Sequence, residues 1–248
     1  MKYGICKLSI VPMRKENNHQ SEMISQLLYG DCFKIIGIKK EWLNIITIED
    51  DYSGWIDTKQ AEEITLEQLK SFKKESSYST SLVDYLETAH NSLTAIVLGS
   101  NISCSKLLNH TFKGNITKGK KEKINLLKTA SLYLNTPYLW GGKTPIGIDC
   151  SGLVQMIYRI NGYKIPRDAS QQANLGETLS FIDESEPGDL AFFDNDEGKI
   201  NHVGILLENH FILHAHGHVR IDRIDQTGIY NRQTQQHSHK LRIIKKII

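Results

Sequence analysis

An apolar helix is predicted to begin inside the stretch GIDCSGLVQMIYR, residues 147–159. Apolar residues recur there at helical spacing, Asp149 is a suitable N-terminal cap, and Asn161-Gly162 is a suitable C-terminal stop. The segments that follow have the β-branched and aromatic composition of strands: EPGDLAFF, HVGILL, HFILHAHGHV and KLRIIKKII. A helical segment followed by a run of strands predicts an α+β domain for the C-terminal half of the chain.

The N-terminal half has a different composition. Residues 1–60 consist of short strand-like segments separated by turn residues, which predicts a small all-β barrel. Residues 61–119 hold a polar helical segment and weaker strand signals, from which we predict a linker helix and a small second barrel. Helical spacing returns near residue 120, so the third predicted domain is 120–248. A chain of 248 residues has the length of two or three compact units.

Composition limits which binding partners and which cellular compartment we expect for this protein. The chain has 30 basic and 28 acidic residues, a balance that gives no electrostatic basis for nucleic-acid binding. Its four cysteines have irregular spacing, which favours free thiols and a reducing compartment. The N-terminus lacks a signal-peptide pattern, and no segment approaches the ~20 apolar residues of a membrane span. We therefore expect a cytoplasmic protein, monomeric in its simplest state, that binds neither nucleic acid nor membrane.

Cys150 lies where the predicted helix begins. In the first turn, the helix dipole and the unpaired amides favour a negative charge and lower the pKa of a thiol. The amide of Cys150 itself can also hold an oxyanion. Position therefore predicts a nucleophile. The alternative is a small buried apolar residue, which is what most free cysteines are.

A nucleophilic cysteine needs a base, and the strands beyond the helix offer His202, His214, His216 and His218. A thiol, a histidine and a third polar residue would form a catalytic constellation. Two alternatives are open for the histidines. They can be surface imidazoles, or the three histidines of HAHGH can hold a zinc ion.

The register of a hairpin decides which histidines share a face. We predict strands at 202–207 and 211–216, joined by a three-residue loop in which Asn209 adopts the left-handed conformation. Gly204 then lies opposite His214 and leaves room beside it, and His202 lies opposite His216. A two-residue loop would instead move His214 to the other face.

Four segments in order resemble the NlpC-type cysteine peptidases of bacterial cell-wall turnover: LNTPYLWGGKTPIGIDCSGLVQMIYR, IPRDASQQ, EPGDLAFF and NHVGILLENHFILHAHG. The resemblance covers about residues 122–245 and implies a papain-like core. It implies Cys150 as the nucleophile, His202 as the base and His214 as the residue that orients the base, with His216 kept as the alternate. Tyr138 matches a tyrosine that assists the oxyanion, although it can equally be a buried aromatic residue.

The N-terminal barrel resembles a bacterial SH3-like domain, and the combination resembles the γ-D-glutamyl-L-diamino acid endopeptidases of the dipeptidyl-peptidase VI type. The resemblance implies a muropeptide substrate that begins with free L-Ala-γ-D-Glu and is cut after the γ-D-Glu. It implies no metal and no organic cofactor. Whether the third residue is lysine or diaminopimelate is left open.

The same resemblance assigns the substrate contacts. A free amine is positively charged, so the pocket needs carboxylates, for which Asp168 and Glu22 are the candidates. Trp140 and Tyr52 are expected to enclose the alanine methyl group, and Ser151 to bind the D-Glu carboxylate. Each contact has a plainer alternative. Glu22 can be a surface glutamate, Asp168 can pair with Arg167 at the surface, Tyr52 can belong to the barrel core with Trp55, and Ser151 can cap the helix.

Three other functions compete with this one. The barrel can bind polymeric wall, which would make the protein an exported peptidoglycan endopeptidase. The fold can be a non-catalytic cell-wall-binding module, which the presence of all three catalytic residues disfavours. The same core can also serve a thiol acyltransferase, against which the SEMISQ and PRDAS segments count.

Overall fold

The computed structural model describes residues 2–72, 76–89, 91–232 and 234–248. The chain divides into two compact units. The first holds residues 1–120 with the short segments 140–145 and 162–164, and the second holds 121–139, 146–161 and 165–248.

A seven-stranded antiparallel sheet begins the first unit, in the order β3-β2-β6-β5-β4-β1-β7. Alternate residues of its strands point into one apolar core, which includes Val11, Phe33 and Ile45, as the two-residue period of a strand requires. The strands are β1 (Lys2–Ile5), β2 (Ile10–Arg14), β3 (Met23–Leu28), β4 (Cys32–Lys39), β5 (Trp42–Thr47), β6 (Ser53–Asp57) and β7 (Glu62–Ile64).

The rest of the first unit consists of one helix and short strands. They are α1 (Leu66–Phe72), β8 (Ser77–Ser79), β9 (Val83–Glu87), β10 (Leu93–Val97), β11 (Thr111–Phe112), β12 (Ile116–Lys118) and β13 (Lys143–Thr144). Strands β9 to β11 form one small sheet, and β8 pairs with β12. Leu69, Leu86 and Ile96 share a core with Ile5 of β1 and with Tyr29, which follows β3. The predicted division at residue 60 stays a prediction.

Helices and a large antiparallel sheet form the second unit. Its elements are α2 (Ile124–Ser131), β14 (Gly147–Ile148), α3 (Cys150–Ile160), α4 (Ala169–Gln172), β15 (Glu177–Leu179), β16 (Leu190–Asp194), β17 (Ile200–Leu207), β18 (Phe211–His216), β19 (His218–Ile224), β20 (Gly228–Asn231) and β21 (Gln236–Lys246). The sheet order is β15-β21-β16-β17-β18-β19-β20, with β20 also paired to β21. Helix α3 is buried along its whole length and packs on β17 and β18. The predicted α+β class is confirmed.

The β17–β18 hairpin has the predicted register. Its loop is three residues long, and Asn209 has the left-handed φ of 57°. Gly204 pairs with His214. A Cβ atom on Gly204 would lie 2.7 Å from Ile212 Cδ1 and 3.0 Å from the Cβ of His214. A side chain at position 204 would therefore crowd Ile212 and His214.

Within the described residues, no helix has both the length and the apolar character needed to span a membrane.

Candidate active site

Cys150 is the first residue of α3 and is 5 % exposed. Asp149 caps the helix, since its Oδ1 accepts a 2.7 Å hydrogen bond from the Gly152 amide. The thiol contacts the backbone on both sides of His202: Sγ donates to the carbonyl of Asn201 at 4.0 Å, and it accepts from the amide of Val203. The nucleophile predicted from sequence is thus held next to the predicted base.

Burial changes the protonation expected for Cys150. Loss of hydration, and then the charge of Asp149, raises the pKa of the Cys150 thiol to about 12. The amides of Val203 and Ser151 and the Arg167 guanidinium act in the opposite direction without offsetting the burial. The lowered thiol pKa expected from the helix terminus is therefore wrong, because burial and the Asp149 charge raise the pKa instead.

Two histidines and an aspartate form a buried hydrogen-bonded chain that begins at His202. His202 Nε2 lies 2.9 Å from His214 Nδ1, and His214 Nε2 lies 3.1 Å from Asp222 Oδ2. Arg220 Nε is 2.7 Å from the same carboxylate oxygen. The structure thus brings the predicted base and the predicted orienting residue into direct contact, and it adds Asp222 and Arg220 behind them.

The carboxylate of Asp222 determines the tautomers along this chain. A carboxylate accepts, so His214 carries its proton on Nε2 and has a lone pair on Nδ1. That lone pair accepts the Nε2 proton of His202. The remaining nitrogen of His202, Nδ1, is then unprotonated and available as a base.

The electrostatics support neutral imidazoles. Burial, reinforced by the charges of His239, His214 and His216, holds the pKa of His202 well below its usual value. Although burial opposes it, hydrogen bonds from His214 and Arg220 lower the pKa of Asp222. At neutral pH the site therefore holds a thiol, two neutral imidazoles and an ionised carboxylate.

A third histidine packs on the base. The His239 ring, from β21, stacks on the His202 ring with centroids 4.2 Å apart and planes at 25°. One ring nitrogen from each of His202, His214 and His239 lies within 4.8 Å of the other two. The alternative metal set considered from HAHGH is thus replaced by this one among the described residues, since His216 and His218 are exposed and pair with each other across a turn.

Sequence reasoning missed Asp222, Arg220 and His239. For the first two the signal was present. The register continues from β18 into β19 with His214 opposite Arg220 and Ile212 opposite Asp222, so the two-residue period places both side chains on the face of His214. His239 gave no such signal, because it lies 21 residues after His218, on β21, which pairs with β15, β16 and β20 instead.

Tyr138 lies near the nucleophile. Its amide donates to the carbonyl of Gly217 at 2.9 Å, and it bridges Ile148 two residues before Cys150. Burial first, and then the charges of Cys150 and Asp149, raise the pKa of the Tyr138 phenol. A phenol that keeps its proton can donate to an oxyanion. That role stays a prediction.

Arg167 is 1 % exposed and binds the side chains at the N-terminus of α3. Its Nη1 donates to Asp149 Oδ1 at 3.0 Å and to Ser151 Oγ at 2.9 Å. The interpretation of Arg167 and Asp168 as a surface pair is therefore wrong. The Ser151 hydroxyl also lies 3.3 Å from Asp149 Oδ1, so it belongs to this buried network, and its proposed contact with the D-Glu carboxylate stays a prediction.

Asp168 caps the short helix α4 and is half-buried. Its amide lies 3.5 Å from the side-chain oxygen of Gln171. It lies in the second unit with Cys150. Its predicted contact with a substrate amine stays a prediction.

The other predicted substrate residues lie in the first unit. Trp140 is 58 % exposed, and its indole N–H donates to Glu22 Oε1 at 2.8 Å. This hydrogen bond, followed by the one from Lys15, lowers the pKa of Glu22. Tyr52 is half-buried and packs against the barrel core. The structure thus joins Glu22 to Trp140, and the roles of all three stay predictions.

The glycine-rich loop after Trp140 has a steric requirement. Gly141 has a φ of 77°, and a Cβ atom there would lie 2.4 Å from the carbonyl oxygen of Met23. The Lys143 amide donates to Gln26 Oε1 at 2.8 Å. Close approach of this loop to β3 therefore holds Trp140 beside Glu22.

We expect alkylation of Cys150 by iodoacetamide to accelerate about tenfold per pH unit from pH 6 to pH 9, because only the small thiolate fraction reacts. Cys150→Ser provides the background from the other three cysteines. The site-specific rate is followed by mass spectrometry of the Cys150 peptide. A rate that levels off below pH 7 would instead indicate a preformed thiolate.

We expect Asp222→Asn to lower kcat about 10- to 100-fold, a part of the 10²- to 10⁴-fold that a positioned base supplies. The asparagine amide can donate to His214 Nε2 and so reverse the tautomers along the chain. KM is expected to change little. Asp222→Glu, which keeps a carboxylate, is the control and should recover part of the rate. Equal losses in both variants would point to a packing role for Asp222.

Comparison with known proteins finds a family match in each of two parts of the chain. Residues 135–238 match the NlpC/P60 family, and residues 13–60 match the bacterial dipeptidyl-peptidase SH3 domain. The chain is 28 % identical over 215 residues to the gamma-D-glutamyl-L-lysine dipeptidyl-peptidase of Bacillus subtilis (strain 168), which covers 77 % of this chain and 71 % of that one. It is 36 % identical over 131 residues to dipeptidyl-peptidase 6 of Lysinibacillus sphaericus, with coverage of 52 % and 44 %.

Solved structures share the fold. An NlpC/P60 family protein from Bacillus cereus ATCC 10987 superposes with a TM-score of 0.83 over 99 % of both chains, at 17 % identity. An NlpC/P60 endopeptidase from Photobacterium damselae subsp. piscicida gives 0.70 over 97 % of this chain and 70 % of that one, also at 17 % identity. These matches support the fold class of a papain-like domain with an N-terminal SH3-like domain.

Proposed function

This chain is an NlpC/P60-type cysteine peptidase that carries a bacterial dipeptidyl-peptidase SH3 domain, and from that premise we propose that it hydrolyses the γ-D-glutamyl-L-diamino acid bond of cell-wall muropeptides. The substrate begins with a free N-terminal L-Ala, and the product is L-Ala-D-Glu. The observation that carries the proposal is the buried His202–His214–Asp222 chain, with the Cys150 thiol held against the backbone on both sides of His202.

In the first half of the reaction, Cys150 Sγ attacks the γ-carbonyl carbon of D-Glu. The thiol proton passes to His202 Nδ1. This nitrogen is unprotonated because the hydrogen bonds that run from Asp222 through His214 hold the His202 proton on Nε2. The Cys150 amide and the Tyr138 hydroxyl donate to the oxyanion. Collapse of the tetrahedral intermediate breaks the C–N bond, and His202 returns the proton to the leaving amine of the diamino acid.

In the second half, water attacks the thioester. His202 Nδ1 takes a proton from the water, and the new C–O bond replaces the C–S bond. The proton then returns to the Cys150 sulfur. The products are L-Ala-D-Glu and the diamino-acid-terminated remainder, and the enzyme returns to its neutral starting state.

Two arguments support the proposed substrate class: the names of similar proteins and the position of the Asp168 carboxylate. The proteins from Bacillus subtilis and Bacillus cereus are both named gamma-D-glutamyl-L-lysine dipeptidyl-peptidases. Asp168, in the same unit as the nucleophile, is the carboxylate that we propose for the free amine. A peptide with a free N-terminal alanine has already left the glycan, so the proposed role is recycling of wall fragments in the cytoplasm.

Cleavage of L-Ala-γ-D-Glu-L-Lys, run beside the same peptide with an acetylated N-terminus, tests the proposal. The expected result is release of L-Ala-D-Glu from the free peptide alone, with no release by Cys150→Ala. A peptide with diaminopimelate as its third residue, run in parallel, shows whether lysine or diaminopimelate is cleaved faster. Equal cleavage of the free and acetylated peptides would reject the free-amine requirement and favour an enzyme that acts on polymeric wall. No cleavage by the intact protein would reject the proposal.

A further inference from the structure

We propose that His202, His214 and His239 form an inhibitory site for a divalent transition-metal ion of the Zn²⁺ type, which binds to the resting enzyme and blocks its base. The three imidazoles come from three strands, β17, β18 and β21, and each offers one ring nitrogen within 4.8 Å of the others. Imidazole nitrogen is the ligand that such ions favour.

The spacing is close to what an ion needs. Zn²⁺–N bonds of about 2.0–2.1 Å in tetrahedral geometry put ligand nitrogens about 3.3 Å apart. His202 Nε2 and His214 Nδ1 are 2.9 Å apart, and the third nitrogen lies within 4.8 Å. To bind the ion, the facing nitrogens of His202 and His214 must turn so that their lone pairs converge on it, and the His239 nitrogen must move closer to them. His239 has room for this movement, because it is only half-buried.

The surroundings also resemble a metal site. Asp222 accepts from the far nitrogen of His214 at 3.1 Å, and a carboxylate behind a histidine is the usual partner of a metal-binding imidazole. This hydrogen bond keeps the His214 proton on Nε2 and leaves a lone pair on Nδ1. The lone pair can accept from His202 or bind an ion. A fourth position is left for water.

Binding would stop catalysis through a tautomer change. An ion on His202 Nε2 displaces the proton that this nitrogen donates to His214, and that proton moves to Nδ1. Both histidines stay neutral, and no proton is lost. His202 then has no lone pair for the Cys150 proton. This inhibition rests on the proposed function, whereas the binding does not.

Titration of Cys150→Ala with ZnCl₂, followed by calorimetry, and with CoCl₂, followed by the visible absorption of tetrahedral Co²⁺, tests the site without substrate. One ion per chain is expected. His239→Phe in the same background keeps a stacked ring but removes the ligand, and it is expected to weaken binding at least 30-fold. His239→Gln serves as a second variant if the phenylalanine disturbs the melting temperature. His216→Phe, whose ring lies 4.8 Å from that of His239, is the matched control and should stay within twofold.

Inhibition is then measured with the intact enzyme, relative to the metal-free rate of each variant. Zn²⁺ is expected to inhibit reversibly, with release by EDTA, and His239→Phe is expected to need at least 30-fold more ion. Ion binding that survives His239→Phe but is lost in Cys150→Ala would assign the ion to the thiol and overturn the proposal. So would an absence of stoichiometric binding. A protein that binds the ion but never cleaves the peptide would keep the site and reject the proposed function alone.

Discussion

Replacing His202 by alanine is expected to lower kcat/KM by about 10⁴-fold or more, and Cys150→Ala is expected to have an effect at least as large. The thiol is protonated at neutral pH, since burial raises the pKa of Cys150 to about 12. Without His202 Nδ1 the thiol has no acceptor for its proton. The double variant should be no slower than either single variant, because two residues that act as a unit do not contribute additively. Steady-state kinetics on the tripeptide measure all three.

His214 and His216 distinguish the two candidates for the orienting role. His214 contacts His202 at 2.9 Å and is buried, whereas His216 is exposed. We expect His214→Ala to slow the reaction strongly and His216→Ala to stay within a few-fold of the parent enzyme. The reverse order would transfer the orienting role to His216. Circular dichroism of each variant excludes loss of the fold as the cause.

Replacing Arg167 by leucine is expected to destabilise the protein by about 3–5 kcal/mol, because it leaves the Asp149 carboxylate buried without its partner. Arg167 is 1 % exposed and makes hydrogen bonds to Asp149 and Ser151. Asp149 in turn caps α3. Urea denaturation measures the change in the free energy of unfolding.

Two controls separate charge from packing. The double variant Asp149→Asn with Arg167→Leu removes both charges and should recover part of the loss. Lys2→Leu breaks a pair with Glu63 at 3.0 Å in which both side chains are largely exposed, and the expected change is about 1 kcal/mol or less. Equal effects at Arg167 and Lys2 would contradict the buried-pair explanation. A double variant as unstable as Arg167→Leu would show that packing dominates.

Local rules were sufficient for much of the catalytic half. Asp149 caps a helix because a short polar side chain before an apolar run satisfies the first amides, and the structure has this cap. The register of the β17–β18 hairpin followed from loop length and from a residue that tolerates positive φ. With that register, the two-residue period places His214 beside Gly204. These features depend only on residues a few positions apart, so the sequence alone determined them.

The weaker predictions concerned residues 61–119. Strand β7 joins the first sheet, and the other strands are two to five residues long and lie in two separate small sheets. Their core is shared with Ile5 and Tyr29. Short strands carry little periodic signal, and a core built with distant residues does not appear in a local pattern.

Only the tertiary structure decided the state of the catalytic groups. The helix terminus favours a thiolate, but the depth at which Cys150 is buried reverses the direction of its pKa. His239 stacks on His202 although it is 37 positions away, and Arg167 closes the cap of a helix that begins 17 residues earlier. Sequence determined which side chains could share a strand face or a helix turn, since these are short-range geometry. Burial, and the partners that burial makes necessary, depend on how distant segments pack, and no local pattern encodes that packing.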